Sequence, residues 1–138
     1  MKDILDLTRF PLDQPGSSGW TDLVARCRAD LAAEGMFNLD GLMLPIVAAG
    51  VADTLAPVFD AASFEHARMH NIYFKKEIPG LAPDHPALRR FETSNRTLCA
   101  DQVKATALMR LYEWAPFAQF LAATMDMTTL HMMADPLA

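Results

Sequence analysis

The sequence has few of the features that assign a protein to a special class at once. It contains two cysteines, Cys27 and Cys99, which lie far apart and form no CxxC pattern. This spacing argues against a zinc motif, and both cysteines are predicted to be reduced thiols of a cytoplasmic protein. The first residues, MKDILDLTRF, carry charges before any apolar block and so lack the pattern of a secretory signal.

Long hydrophobic runs and an excess of positive charge are also missing. The longest apolar run, residues 42–52, contains Pro45 and Gly50 and is shorter than the ~20 residues that span a bilayer. No membrane segment is therefore expected. The net charge of −5 argues against a nucleic-acid binder, which needs a basic face. The doubled bases at 75–76 and 89–90 are interpreted as solvated surface features.

The composition that remains is that of one globular domain. Hydrophobic residues make up 51% of the 138 residues and charged residues 21%, which supports a real core. Residues 11–19, PLDQPGSSG, show no periodicity and are typical of a loop. The sequence therefore predicts a flexible N-terminal segment over 1–19 and a single α+β domain over 20–138, with three to four helices packed on a few strands.

Hydrophobic spacing locates the first elements. Apolar residues from Trp20 to Leu31 recur at helical intervals, and Gly35 is a natural helix stop. The alternation over 37–39 predicts a short strand that ends in a turn at residues 40–41. A second helix is expected to begin at Pro45, a residue favoured in the first turn, and Pro57 is expected to kink or end it.

Residues 66–86, HARMHNIYFKKEIPGLAPDHP, hold three of the four histidines. A helical turn is expected over 65–70, an extended segment over 71–74 and a turn at 79–80. Two short helices are predicted further on, one from Thr106 and one beginning near Pro116, before a β-capable end over 128–138.

No catalytic residue and no metal ligand is assigned from these patterns. His66 and His70 are four residues apart and would share a helix face, but Ala67 stands where the HExxH motif has glutamate. No histidine is followed two residues later by Asp, Glu or Gly, the spacing that commonly announces a non-haem iron site.

The order of several segments resembles one family, the 2-oxoglutarate- and iron(II)-dependent oxygenases that hydroxylate or halogenate free amino acids. The resemblance covers roughly residues 35–138 and is carried by EGMFNLDGLMLPIVAAGVADTL, RMHNIYF, PDHPALRRFETSNRTLCADQV, LMRLYEWAPFAQFLAATM and LHMMADPLA. No single segment is specific, and the resemblance rests on five segments that occur in the same order.

The resemblance implies a helix-rich N-terminal portion of a double-stranded β-helix, a cupin-like oxygenase, with few strands and an incomplete barrel. In that family the iron ligands, which include a His-x-Asp or His-x-Gly motif, follow this region, and the sequence ends before them. Iron(II) and 2-oxoglutarate are thus cofactors expected of the full-length family and not of this chain, which is expected to be inactive alone.

The resemblance also implies which residues border the pocket for the free amino acid: His70, Asn71, Tyr73, Arg96, Asp101 and Asp135. Of these, Arg96 would suit the substrate carboxylate, since a guanidinium grips two oxygens, and Asp135 would suit an ammonium group. The partner expected for catalysis is a complementary barrel fragment.

Two alternatives stay open. The chain could be a non-catalytic module that forms a homodimer through an exposed strand edge or binds a small molecule. A weaker alternative is a small metalloprotein that uses His66 and His70.

Overall fold

The computed structural model describes residues 1–132. In chain order its elements are α1 (Ser18–Glu34), α2 (Pro45–Ala62), β1 (Phe64–His70), a 3₁₀ turn (Pro86–Leu88), β2 (Phe91–Thr97), α3 (Ala100–Val103), α4 (Ala107–Tyr112) and α5 (Ala115–Thr124). Helices and a small sheet thus occur in one chain, and the predicted α+β class is confirmed at that level.

Local signals at both ends set the limits of α1. The Ser17 side chain accepts a hydrogen bond from the Trp20 backbone N–H at 3.2 Å, which satisfies one of the free amides of the first turn. At the other end Gly35 adopts a left-handed φ of 74°, and its N–H donates to the Leu31 carbonyl. The predicted helix and its glycine stop are confirmed.

The N-terminal segment contributes to the core, which differs from the flexible segment predicted over 1–19. It has no helix or strand, yet five of its apolar side chains are buried: Ile4, Leu5, Leu7, Phe10 and Leu12. Its backbone pairs with residues 42–44 through an isolated bridge between Leu5 and Met43. Burial without regular periodicity explains why spacing alone indicated a loop.

The core cluster joins that segment to α1 and α5. Cys27 from α1 and Phe120 from α5 are completely buried, and burial raises the pKa of the Cys27 thiol. Phe37 packs edge-on against Phe120 with ring centroids 6.3 Å apart. The strand predicted over 37–39 is wrong, because this stretch makes no ladder and instead turns its aromatic ring into the core. The turn at 40–41 is confirmed, with Gly41 at φ 79°.

Helix α2 begins at Pro45 as predicted but continues through Pro57 to Ala62. None of its residues is buried, and Ile46 is 81% exposed. By length and composition alone it is the one helix in residues 1–132 that could cross a membrane, a possibility that the shorter run over 42–52 did not indicate. The same test is also passed by helices that belong to soluble proteins.

Strands β1 and β2 form a two-stranded antiparallel sheet in which Phe64 pairs with Thr97 and His70 with Phe91. The helical turn predicted over 65–70 is therefore wrong: long-range pairing with β2 replaces the local helix. All but the last residue of each strand are exposed. The sheet consequently presents both faces to solvent in this structure.

Candidate functional site

His70, the last residue of β1, has a hydrogen-bond partner at each ring nitrogen and packs against two aromatic rings. Its Nδ1 lies 2.9 Å from the Asn71 carbonyl oxygen and its Nε2 lies 2.9 Å from Thr93 Oγ1. A neutral ring would donate from Nδ1 and accept the hydroxyl proton at Nε2. The ring also stacks on Phe74 at 4.2 Å and meets Phe91 edge-on at 4.8 Å. Both nitrogens are engaged, so the ring acts as a fixed wall.

Asn71 fixes the loop that follows β1. It is only 3% exposed, and its side-chain amide donates to the Lys75 carbonyl at 2.5 Å. Its Oδ1 accepts hydrogen bonds from the backbone N–H groups of Tyr73 and Lys75 at 3.1 and 3.2 Å. Between them Phe74 adopts a left-handed φ of 55°. One buried side chain thus holds a five-residue loop and sets the position of Lys75.

A pocket of about 270 Å³ lies between this loop and the start of β2. Four of its lining residues are basic: Arg68, Lys75, Lys76 and Arg90. No Asp or Glu lines it among the residues that the structure describes. His70, Asn71 and the apolar side chains of Met69, Phe74 and Leu88 complete the lining. We call this site the basic pocket. Like charges in one cleft raise the local potential and attract anions.

The two arginines of the basic pocket are anchored. The guanidinium carbon of Arg68 lies 5.1 Å from the centroid of the Phe74 ring, a cation–π contact. Arg90 Nη2 donates to the Met69 carbonyl at 2.9 Å. Each guanidinium still has further N–H groups for a ligand, because it carries five donors in all.

The two lysines are not neutralised by acidic neighbours. Within residues 1–132 the ion pairs join the N-terminal amine to Asp3, Arg28 to Asp126 and Arg110 to Asp3. None involves a cation of the basic pocket. The side-chain ammonium groups of Lys75 and Lys76 form no hydrogen bond in that part of the chain. Within residues 1–132, therefore, no ion pair offsets the positive charge of the pocket.

Three of the residues predicted to bind substrate lie at the end of β1. His70 and Asn71 line the basic pocket, and Tyr73 lies in the adjoining loop with 49% of its surface exposed. Asp101 is an exposed residue of α3. Asp135 lies outside the described residues.

Arg96 does not approach His70. It pairs across the sheet with Glu65, five residues before His70, a separation of roughly 17 Å along the strand. Its guanidinium lies over the Phe59 ring at 4.7 Å and donates to the Phe59 carbonyl at 3.3 Å. The sheet therefore places this residue next to α2 and away from the basic pocket.

His66 and His70 lie on one strand, so they cannot form the helical pair considered above. Two residues four apart on a strand are separated by ~13 Å, too far for both to bind one ion. Across the described residues no group of three or more His, Cys, Asp or Glu side chains is close enough to hold a metal.

The basic residues that surround His70 were not among the predicted site residues. The pairs at 75–76 and 89–90 were interpreted as solvated surface, and all four residues are exposed, but Lys75, Lys76 and Arg90 also line one pocket. The available signal was the position of the first pair directly after HNIYF. The second pair joins it only because β2 returns beside β1, which local spacing does not show.

Comparison with known proteins adds no relative. No protein-family model, no curated protein and no solved structure matches this chain.

Proposed function

We propose that this chain is the N-terminal, substrate-rim portion of a 2-oxoglutarate- and iron(II)-dependent oxygenase that hydroxylates or halogenates a free amino acid. The proposal starts from the order of the HNIYF, DHP, CADQV and LYEW segments. In it the helices buttress a cupin-like barrel that a further stretch of polypeptide supplies.

The observation that carries the proposal is the uncovered surface of the sheet and α2. Phe64 and Phe91, which lie on one face of the sheet, are each more than two-fifths exposed, and α2 has no buried residue. Large apolar surfaces of this kind usually mark an interaction site. A barrel packed on the sheet would bury them and place the end of β1 at its rim.

The described residues do not fit an iron centre. They offer no cluster of three donors, and both ring nitrogens of His70 already have partners. In this proposal iron and 2-oxoglutarate are held by donors outside residues 1–132. The chain's own contribution is to bind and orient the amino acid, with Arg96 for its carboxylate and Asp135 for its ammonium group.

The test is reconstitution of activity. The chain alone is expected to form no succinate from 2-oxoglutarate. Mixed or co-expressed with a polypeptide that carries the barrel of such an oxygenase, it is expected to form succinate only when a suitable free amino acid is present. A tight iron site in the isolated chain, measured by metal analysis after tag-free purification, would contradict the proposal. So would a failure of the two polypeptides to associate.

The role of Arg96 can be tested in the reconstituted protein. Arg96→Gln is expected to raise the KM for the amino acid about tenfold or more, since a charge-assisted pair is lost. The matched control is Arg89→Gln, an exposed arginine outside the basic pocket. Equal KM values in the two variants would remove Arg96 from the substrate site.

A second candidate is a non-catalytic dimerising module, which the same exposed surface favours. Within residues 1–132 neither outer edge of the two-stranded sheet is paired, and such edges can pair with another copy of the chain. Light scattering distinguishes the candidates: a dimer mass of the isolated chain supports self-association, and a strictly monomeric mass argues against it.

A further inference from the structure

We propose that the basic pocket binds a small multivalent oxyanion, an organic or inorganic molecule that carries carboxylate or phosphate groups. This inference does not depend on the oxygenase proposal, because it rests on the charges and contacts of the pocket. Four cations surround a space of about 270 Å³ without a carboxylate among the lining residues described. Bringing four like charges together is unfavourable unless a counter-charge is available, so the pocket is best satisfied when an anion occupies it.

The size of the pocket restricts the ligand. Its volume is slightly below the range of about 300–1,000 Å³ that is usual for drug-sized molecules. It is also one concave site, not a stripe along the surface. A small molecule therefore fits better than a nucleic acid, and the net charge of −5 of the whole chain also disfavours a nucleic acid.

The pocket is organised before a ligand arrives. Arg68 is held over Phe74, and Arg90 is held by the Met69 carbonyl. The backbone of Lys75 is held at both its N–H and its carbonyl by Asn71. Groups that are already in place lose less conformational freedom on binding, which favours affinity.

The positive charge of the basic pocket should favour a multivalent anion over an ordinary amino acid, which carries an ammonium group. An α-ammonium group would meet four cations and no carboxylate among the described lining residues. L-lysine, which has two ammonium groups and one carboxylate and so carries a net positive charge, should be repelled. Two or more negative groups would be attracted. Phe74 and Leu88 add apolar side chains to the lining, which a short carbon skeleton of the ligand could contact.

Binding can be measured by isothermal titration calorimetry at low ionic strength with four probes: citrate, inorganic pyrophosphate, acetate and L-lysine. Citrate, pyrophosphate or both are expected to bind with 1:1 stoichiometry. Acetate is expected to bind at least about tenfold more weakly, because it makes fewer charge-assisted hydrogen bonds. Added salt should weaken binding. Binding of citrate alone identifies a carboxylate ligand, binding of pyrophosphate alone identifies a phosphate ligand, and binding of both indicates recognition by charge.

The decisive variant is the double substitution Lys75→Gln and Lys76→Gln. Neither side chain makes a hydrogen bond within residues 1–132, so the fold should survive, as circular dichroism can verify. Its matched control is Arg89→Gln with Lys104→Gln, which removes the same charge from residues outside the pocket. The pocket variant is expected to bind the multivalent probe about tenfold more weakly or worse, and the control within about twofold of the wild type.

Three results would overturn the proposal. The first is that neither multivalent probe binds. The second is that the pocket variant and its control lose affinity equally, which would show that only net charge matters. The third is that L-lysine binds as tightly as citrate. If the first result is accompanied by binding of a hexaglutamate peptide, the pocket recognises an acidic protein segment instead.

Discussion

Replacing Asn71 with alanine should release the loop between β1 and the basic pocket while leaving the core folded. The substitution removes three hydrogen bonds of one buried amide group, to the N–H of Tyr73 and to the N–H and carbonyl of Lys75. The contacts are confined to residues 71–75. The buried cluster of the N-terminal segment, α1 and α5 contains none of these residues.

The magnitude follows from those three bonds. Each is worth about 1 kcal/mol in net terms, so their sum is about 3 kcal/mol. The freed backbone groups belong to Tyr73 and Lys75, which are exposed residues, so water can replace part of the loss. We expect the free energy of loop opening to fall by about 2 kcal/mol, or roughly 30-fold in the opening equilibrium.

Amide hydrogen exchange followed by NMR measures this change directly. The N–H groups of Tyr73 and Lys75 should exchange roughly 30-fold faster in Asn71→Ala than in the wild type. The control is Asn95→Ala, an exposed asparagine of β2 whose side chain makes no hydrogen bond in the described part of the chain.

The reasoning is refuted if both amides in Asn71→Ala exchange within about twofold of the wild type. It is equally refuted if Asn95→Ala accelerates the exchange of both amides as much, because the faster exchange would then come from a weakened sheet and not from the lost hydrogen bonds of Asn71.

Two further predictions concern the core and the N-terminus. Phe120→Ala should lower the free energy of unfolding by about 4 kcal/mol in urea denaturation, because the side chain is fully buried. The control is Phe64→Ala on β1, where the side chain is half exposed and its loss should cost under about 1 kcal/mol. Similar losses in the two variants would mean that the core is misassigned. Asp3 pairs with the N-terminal amine and Arg110, and these contacts lower its pKa from 3.8 to about 2. Because the folded state has the lower pKa, its stabilisation is present above pH 3.8 and disappears as the pH falls through about 2. The difference in stability between the wild type and Asp3→Asn, measured by denaturation at several pH values, should shrink accordingly, and a difference that persists at pH 2 would contradict this assignment.

Helix limits were the most predictable part of the fold. The stop of α1 at Gly35 and the starts of α2 and α5 near Pro45 and Pro116 follow from residues at or beside the helix end. The persistence of α2 through Pro57 was not predicted. The lost hydrogen bond and the ring clash there disfavour a helix locally without forbidding it.

Only the part of the candidate site that lies within residues 70–73 was predictable from the sequence. His70, Asn71 and Tyr73 are neighbours in sequence and remain together in the structure. Arg90, which directly precedes β2, reaches the same pocket, and Arg96 within β2 is carried away from it. The register of two strands decides both outcomes. Both strands are exposed almost throughout, so no buried face specifies which residue of one strand lies opposite which residue of the other.

The sequence by itself determined the class of the chain, its apolar content and those helix ends where a capping residue or a proline acts on its own neighbours. Only the tertiary structure decided that residues 64–70 form a strand, that the irregular N-terminal segment is core, and that four basic residues meet in one pocket. The physical reason is the distance in sequence between the residues that each hydrogen bond joins. A helix hydrogen-bonds residues four apart, whereas β1 bonds to residues more than twenty positions away, and burial depends on every element that packs against a side chain.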